Sequence, residues 1–302
     1  DAVAALAAVG GFKQNGFSLG SLLLGKGVSG QILKPVAVAV EKDGRMAIAD
    51  LERKGIHYYH PGEKKYRFLY KAAGGEELRS PVGVAFDGIL NLYVADSLLR
   101  KIFIFDRNGK PVGQIDRAGQ TPFGRPTGLS FQKRGGLLHV TDTALHQIHV
   151  FSVEGGYLHS IGSRGADPGS FNFPSHITAD YQGKIYVNDT LNFRVQVFDQ
   201  QEFIGQFGRH GNGSGDFAMP KGIAVDRWQT IYVADSLFDC VQLFDPRGRF
   251  LLTLGSRGTG PGEFWLPSGL FIDESDRLYV CDTYNQRIQI FQLAAHQAEE
   301  RP

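Results

Sequence analysis

The feature that most constrains this chain is an aspartate that recurs at nearly constant spacing. Each copy closes a short segment rich in β-branched and aromatic residues, such as YVADS or YVNDT. The copies are Asp50, Asp96, Asp142, Asp189, Asp235 and Asp282, which are 46 or 47 residues apart. A proline recurs in the same phase, at Pro35, Pro81, Pro126, Pro174, Pro220 and Pro267. Six units with nearly constant spacing, which together span most of the 302 residues, indicate a repeat architecture.

One unit, residues 220–254, shows what each repeat folds into. The patterns predict strands over Lys221–Asp226, Ile231–Ala234 and Val241–Phe244, with turn-forming residues between them. A fourth strand follows as FLLTL. Four antiparallel strands at this period are typical of a propeller blade. The predicted fold is therefore all-β, a six-bladed β-propeller of four-stranded antiparallel blades in a single domain. Its blades begin at about residues 35, 81, 126, 174, 220 and 267.

These motifs resemble the NHL repeat. The shared pattern is P-x-G-[IV]-A-V-D, then YVADT, then N-x-R-[IV]-Q-V-F, and it extends from Pro35 to Phe291. Residues 189–194 and 282–287 match best, whereas LERKGIHYYH in the first unit departs most. The resemblance implies a six-bladed propeller. It does not determine a function, because the family includes enzymes, RNA binders and protein-docking modules.

The ring must also close, because an open sheet edge exposes unpaired backbone groups. The last unit has no outer strand after Phe291. The N-terminal stretch 3–9, VAALAAV, is followed by glycines as in the outer strand LLTLGSRG. We expect residues 3–9 to complete the last blade, residues 12–34 to form an inserted loop and residues 294–302 to be a polar tail. The alternative for 3–9 is an alanine-rich helical turn.

Charge and composition limit the partners. The formal net charge is +1, so no overall field favours nucleic acid or an anionic membrane. No apolar run approaches the roughly 18 residues that a membrane span needs. Cys240 and Cys281 lie in different blades, as two buried thiols or as an interblade bridge. The first residue is Asp rather than Met, which we interpret as export from a bacterial cell, to the periplasm or beyond; an artificial boundary is the alternative. The oligomeric state is not indicated.

Most of the repeated polar residues have a structural interpretation. The aspartates are expected to accept backbone N–H groups at the turn after the second strand. Arg194, Arg287 and Lys101 follow their aspartates by five residues and are expected to form salt bridges to a neighbouring blade. Glycine-rich loops such as GSRGTGPGEFWLP precede a strand rather than a helix, which disfavours phosphate binding. The phenylalanines of these loops are expected to fill gaps between blades; they are Phe171, Phe217 and Phe264.

One histidine, His176, could lie at the channel. It occupies the innermost-strand position that Ala37, Gly83, Gly128, Gly222 and Gly269 occupy in the other units. The resembled family includes an amidating lyase with channel zinc bound by histidines on innermost strands. One histidine among five small residues does not make a three-ligand site. No catalytic residue and no cofactor are predicted. A metal-dependent lyase or hydrolase, with calcium or zinc in the channel, is the alternative.

The turn between each aspartate and the third strand is unusually apolar. Such turns all emerge on one face of a propeller, so their side chains would surround the channel mouth. The apolar residues singled out are Leu98, Leu99, Leu191, Phe193, Leu237, Phe238 and Tyr284, and the expected cationic rim is Arg100, Arg164, Arg209 and Arg257. Contiguous apolar surface with arginine at its edge is typical of docking surfaces. We therefore expect a non-enzymatic scaffold that binds a partner protein, peptide or polymer. The alternative is that these side chains fold down onto neighbouring blades.

Overall fold

The computed structural model describes residues 12–14, 31–89 and 91–293. They form six four-stranded antiparallel sheets, which confirms the predicted propeller. Blade six combines β1 (Phe12–Gln14) with β24 (Pro267–Ile272), β25 (Arg277–Asp282) and β26 (Arg287–Leu293). Blade one consists of β2 (Pro35–Val40), β3 (Met46–Asp50), β4 (Gly55–His60) and β5 (Lys65–Leu69). Blade two consists of β6 (Pro81–Phe86), β7 (Leu92–Asp96), β8 (Lys101–Phe105) and β9 (Pro111–Ile115).

The remaining blades follow in chain order after a small hairpin, β10 (Arg117–Ala118) and β11 (Thr121–Pro122). Blade three consists of β12 (Pro126–Gln132), β13 (Leu137–Asp142), β14 (Gln147–Ser152) and β15 (Tyr157–Ile161). Blade four consists of β16 (Pro174–Ala179), β17 (Lys184–Asp189), β18 (Arg194–Asp199) and β19 (Glu202–Phe207). Blade five consists of β20 (Pro220–Val225), β21 (Ile231–Asp235), β22 (Cys240–Phe244) and β23 (Phe250–Leu254). Single 3-10 turns lie at Ala73–Gly75 and Thr190–Asn192. None of these described helical turns has the length and apolar character of a membrane span.

The first strand of each blade lines the central channel, and glycine allows these strands to approach closely. A Cβ atom added to Gly83 would lie 2.0 Å from the carbonyl oxygen of Thr127 in the next blade. At Gly222 it would lie 2.1 Å from the carbonyl oxygen of Ser268. Contacts between neighbouring inner strands continue around the ring. The repeated glycine therefore sets how tightly the blades pack around the channel.

The hydrophobic core lies between blades. Phe171, Phe217 and Phe264 are fully buried and join clusters shared by blades three and four, four and five, and five and six, respectively. The ring centroids lie 5.7 Å apart for Phe171 and Phe198, 5.5 Å for Phe217 and Phe244, and 6.0 Å for Phe264 and Phe291. The prediction that the loop phenylalanines fill interblade gaps is confirmed. Burial of an aromatic side chain in each gap contributes roughly 2–3 kcal/mol to the stability of the ring.

An N-terminal strand does complete the last blade. Phe12 pairs with Leu293, and Gln14 pairs with Phe291. The pairing residues are 12–14, however, so their assignment to the inserted loop was wrong. Phe12–Gln14 has stronger strand-forming character than the alanine-rich stretch before it, since alanine favours helix. Residues 3–9, the rest of the expected loop through residue 30, and the tail 294–302 lie outside the described residues.

The two cysteines are separate thiols. Cys240 and Cys281 are both buried and free. Burial raises the pKa of Cys240 to about 12 and also raises that of Cys281. Of the two interpretations left open by the sequence, separate buried thiols is the one observed, and both thiols stay protonated at neutral pH.

Candidate functional site: the loop face and the channel mouths

The repeated aspartate organises one face of the propeller, called here the loop face. Asp235 shows the pattern: its carboxylate accepts N–H groups from Ala218 at 2.7 Å and Met219 at 3.0 Å, which lead into the inner strand. It also accepts the N–H of Leu237 at 3.2 Å, in the turn after the second strand. Asp96 and Asp142 are bonded in the same way and are likewise fully buried. The predicted turn role is confirmed, and each carboxylate holds two adjacent loops together.

Arg194 and Arg287 also strengthen these turns, but not as predicted. The Nε of Arg194 lies 2.8 Å from Asp189, and that of Arg287 lies 2.7 Å from Asp282, each within its own blade. The predicted salt bridge to a neighbouring blade is therefore wrong. The physical reason is register, because Asp189 and Arg194 are direct cross-strand partners. Lys101 instead pairs at 2.6 Å with Glu76, in the connection that enters its own blade.

The turn side chains divide into two sets. The second residue after the aspartate is exposed in every blade, and in four blades it is a large apolar side chain with 45–68% of its surface accessible; these residues are Leu98, Leu191, Leu237 and Tyr284. Leu99, Phe193 and Phe238 are half-buried. Leu99 packs against the cluster between blades one and two, and Phe193 against that between blades four and five. In these apolar turns one residue is thus exposed to solvent, while the residue or residues after it are half-buried beneath the surface.

Two exposed aromatic side chains, Phe173 and Trp265, were missed in the sequence. They lie in the connections that enter blades four and six, at or near the repeated proline, and so belong to the loop face. The ring of Trp265 lies 5.5 Å from that of Tyr284, and Phe173 lies 4.8 Å from the ring of His146. Their signal was available, because the residues just before each proline share a face with the turns.

The predicted arginine rim is exposed on the same face. Arg209 pairs with Asp216 at 2.7 Å and lowers the pKa of that carboxyl, chiefly through the side-chain hydrogen bond. Arg257 lies 3.6 Å from Asp239 and 5.6 Å from the Trp265 ring centroid. Arg100 and Arg164 are exposed and form no ion pair with the described part of the chain. The rim therefore combines paired and available guanidinium groups.

Three further cations lie where the inner strands begin at the loop face. Lys34 and Arg125 directly precede Pro35 and Pro126, and Lys221 directly follows Pro220. Lys221 is half-buried; burial lowers its pKa most, followed by the charges of Arg125 and then Lys34. The Nζ of Lys34 lies 5.5 Å from the Tyr284 ring centroid. We call these three residues the mouth cations.

His176 lies deeper on the inner strand of blade four. Its Nδ1 is 3.3 Å from the Ser175 hydroxyl, while its Nε2 is buried without a hydrogen-bond partner among the described residues. Burial, and secondarily the charge of Lys221, lowers the pKa of His176 to about 3, so the ring is neutral. Among residues 31–89 and 91–293, no group of three His, Cys, Asp or Glu side chains is placed to hold a metal ion.

The channel contains a cavity of about 260 Å³ lined by all six inner strands. It runs from the level of His176 to the opposite mouth, which is lined by Glu41, Lys133 and Glu274. Lys133 of blade three bonds Glu274 of blade six, directly across the ring, and lies 3.9 Å from Glu41. Lys133 at the opposite mouth is therefore paired with acidic side chains, in contrast to the mouth cations.

The blade topology and the aspartate-bound turns define a six-bladed β-propeller. A family model described as "6-bladed beta-propeller" matches residues 179–238 and 228–301. The chain is 26% identical to Protein brain tumor of Drosophila melanogaster over 146 residues, 45% of this chain and 14% of that protein. It is 37% identical to human NHL repeat-containing protein 2 over 90 residues, 26% of this chain and 12% of that protein. The chain is thus a six-bladed β-propeller whose repeats are similar to those of NHL repeat-containing proteins.

A solved structure supports the fold. A catalytically inactive virginiamycin B lyase from Staphylococcus aureus, determined with quinupristin, superposes with a TM-score of 0.65. The sequences are 13% identical, and the alignment covers 95% of this chain and 90% of that one. A similar propeller fold thus occurs in an enzyme, and the function of this chain has to be argued from its own loop face and channel.

Proposed function

We propose that this propeller is a non-enzymatic scaffold that binds a protein or peptide partner on its loop face, around the channel mouth. The observation that carries the proposal is the exposure of a large apolar side chain at one equivalent position in four blades. These side chains are Leu98, Leu191, Leu237 and Tyr284, all on one face. Large exposed apolar side chains gathered on one face of a molecule are typical of an interaction site.

The surrounding residues suit a protein partner. Trp265 and Tyr284 form an exposed aromatic pair beside Arg257. Tryptophan, tyrosine and arginine are the side chains that most often supply binding energy at protein interfaces. Half-buried Leu99 and Phe193 hold the turns in place beneath the exposed residues. A partner would therefore meet a surface that is largely preformed, so little conformational entropy is lost on binding.

The test compares two pairs of exposed apolar residues. Leu191→Asp with Leu237→Asp places charge on the loop face, while Ile204→Asp with Leu251→Asp places charge on outer strands, at similarly exposed positions. Peptides selected on the wild-type protein from a random library, and any partner recovered under mild purification and then purified, are titrated by calorimetry. The loop-face pair should weaken binding at least ~10-fold, which corresponds to about 1.4 kcal/mol. The outer-strand pair should change it less than about twofold.

Circular dichroism melting checks that both double variants remain folded. Equal weakening by both pairs would show that charge anywhere on the surface has this effect. Weakening of binding by the outer-strand pair alone would indicate that the partner binds the outer strands of the blades. Either result rejects the loop face as the docking site.

A further inference from the structure

The three mouth cations surround one opening. Lys34, Arg125 and Lys221 belong to blades one, three and five, which alternate around the ring. Each lies next to the proline that starts an inner strand, and the inner strands contact one another around the channel. Burial is the main cause that lowers the pKa of Lys221, and the charges of Arg125 and Lys34 lower it further. Side chains far apart in sequence are thus brought to one narrow mouth.

No acid neutralises this cluster in the described part of the chain. None of the three cations has a carboxylate oxygen within 4.0 Å, whereas Lys133 at the opposite mouth pairs with Glu274. The residues after the repeated prolines also form the mouth, and Lys221 is the charged one; the others are Val36, Val82, Thr127, Ser175 and Ser268. Like charges held together without a counter-charge destabilise a fold. Clusters of this kind occur more often at functional sites than elsewhere.

A second polar group lies near Lys221 with unused hydrogen-bonding capacity. The Nε2 of His176 is buried and has no partner among the described residues. A buried polar atom without a partner costs about 1–3 kcal/mol. With Nδ1 accepting from Ser175, the neutral ring would carry its proton on Nε2 and could donate it. His176 therefore offers an unused hydrogen-bond donor inside the channel, on the inner strand next to that of Lys221.

We propose that the loop-face mouth of the channel binds a single anionic group, a carboxylate or a phosphate, through Lys34, Arg125 and Lys221. A compact anion can contact cations from three alternate blades at once. A nucleic-acid backbone would require basic residues arranged along a track, and the formal net charge of this chain is only +1. The site lies at the centre of the proposed docking face, but it does not depend on that proposal, because a free anion can occupy it without a partner.

The experiment titrates two small probes, inorganic phosphate and N-acetylglutamate methylamide, in a buffer without other multivalent anions. Lys221→Met and Arg125→Met remove mouth cations. Lys110→Met and Arg247→Met are matched controls in exposed turns between third and fourth strands. Each mouth variant should raise the dissociation constant at least ~10-fold, since a charge-assisted hydrogen bond is lost. Each control should change it less than about twofold.

Thermal unfolding without anion supplies an independent measurement. Lys221→Met should raise Tm, because it removes charge repulsion, and should reduce the further rise that the anion causes. If neither probe binds, or if the mouth variants and controls bind alike, the proposal fails. A drop in Tm for Lys221→Met together with unchanged binding would assign the lysine a structural role instead. Lys34→Met replaces Lys221→Met if the latter does not fold.

The two probes and one further variant separate the remaining outcomes. Binding of phosphate alone indicates a phosphorylated or free phosphate ligand, and binding of the glutamate derivative indicates an acidic side chain. A single-stranded RNA oligonucleotide that binds through Arg164 and Arg209 rather than Lys221 would contradict the single-anion site. Leu191→Ser with Leu237→Ser removes two apolar side chains of the docking face without adding charge and should leave probe binding intact, so failure of the docking face and failure of the anion site give different results.

Discussion

Blades four and five share their fold and their repeated aspartate, but different groups donate hydrogen bonds to the aspartate carboxylate in the two blades. In blade four, Asp189 accepts from Arg194 at 2.8 Å and from the side chains of Asn192 and Gln196. In blade five, the residue equivalent to Arg194 is Cys240, and within the described part of the chain Asp235 accepts only from backbone N–H groups. Burial raises the pKa of Asp235 more than these N–H groups lower it.

The difference separates what the blade requires from what is optional. Both turns close, so the requirement is an acceptor placed between the loop that enters the inner strand and the turn that follows the second strand. A cation adds a charge pair but also has to be buried, which costs free energy unless its bonds are complete. Arg194 meets that condition by also donating to Gln206 and to the carbonyls of Asp167 and Ser170.

The largest expected effect compares the same substitution in the two blades. Asp189→Asn should destabilise the protein by about 3 kcal/mol, because it leaves the buried Arg194 guanidinium without its carboxylate. In Asp235→Asn the amide oxygen can still accept from most of these N–H groups, so the free energy of unfolding should fall by about 1 kcal/mol. Urea unfolding at pH 7 measures both. Equal losses would mean that the charge pair in blade four adds nothing beyond the turn.

The second prediction compares arginines by exposure. The Arg194 side chain is 8% exposed and that of Arg287 is 32% exposed. Arg194→Met should therefore cost about 2 kcal/mol and Arg287→Met about 1 kcal/mol, because the desolvated hydrogen bonds to the carboxylate are the stronger ones. Lys101→Met, whose ion pair is more accessible, should cost less than about 1 kcal/mol. The order of the three unfolding free energies is the test, and a reversed order would contradict it.

The smallest expected effect is a pH dependence specific to blade five. The folded-state pKa of Asp235 is raised, so the folded state binds its proton more tightly than the unfolded state does. Its contribution to stability is therefore largest at low pH and declines as pH rises from 3.8 through the raised value. Relative to Asp235→Asn, the wild type should gain stability as pH falls from 7 towards 4. A constant difference between the two proteins across this range would contradict the assigned shift.

The sequence predicted those parts of the structure that repeat. The repeat spacing alone predicted the positions of the inner prolines, the turn aspartates and the interblade phenylalanines, because each has the same role in several blades. Closure of the last blade by an N-terminal strand was predicted, but its residues were not, since Phe12–Gln14 is three residues long and has no periodicity of its own. The within-blade pairing of Asp189 with Arg194 could have been found by placing the two residues opposite each other in the hairpin.

The candidate sites were harder to predict because they depend on the closed ring. Lys34 and Arg125 precede a proline while Lys221 follows one, so no repeated pattern connects them. Only the circular arrangement of blades brings their charges together. Trp265 and Phe173 lie in connections of variable sequence and come near the turns through the fold. The candidate sites are therefore formed largely by residues that do not repeat from blade to blade.

The pairing of Phe12–Gln14 with the last strand also has a consequence for how the protein is made. These residues leave the ribosome before any blade of the ring, yet Leu293, the partner of Phe12, lies at the end of β26, the last strand of blade six. All six blades must be synthesised before this contact can form, and contacts of such long sequence separation form slowly. Until then the nascent ring carries an incomplete sheet with a free edge, which makes the interval before β26 emerges its most aggregation-prone.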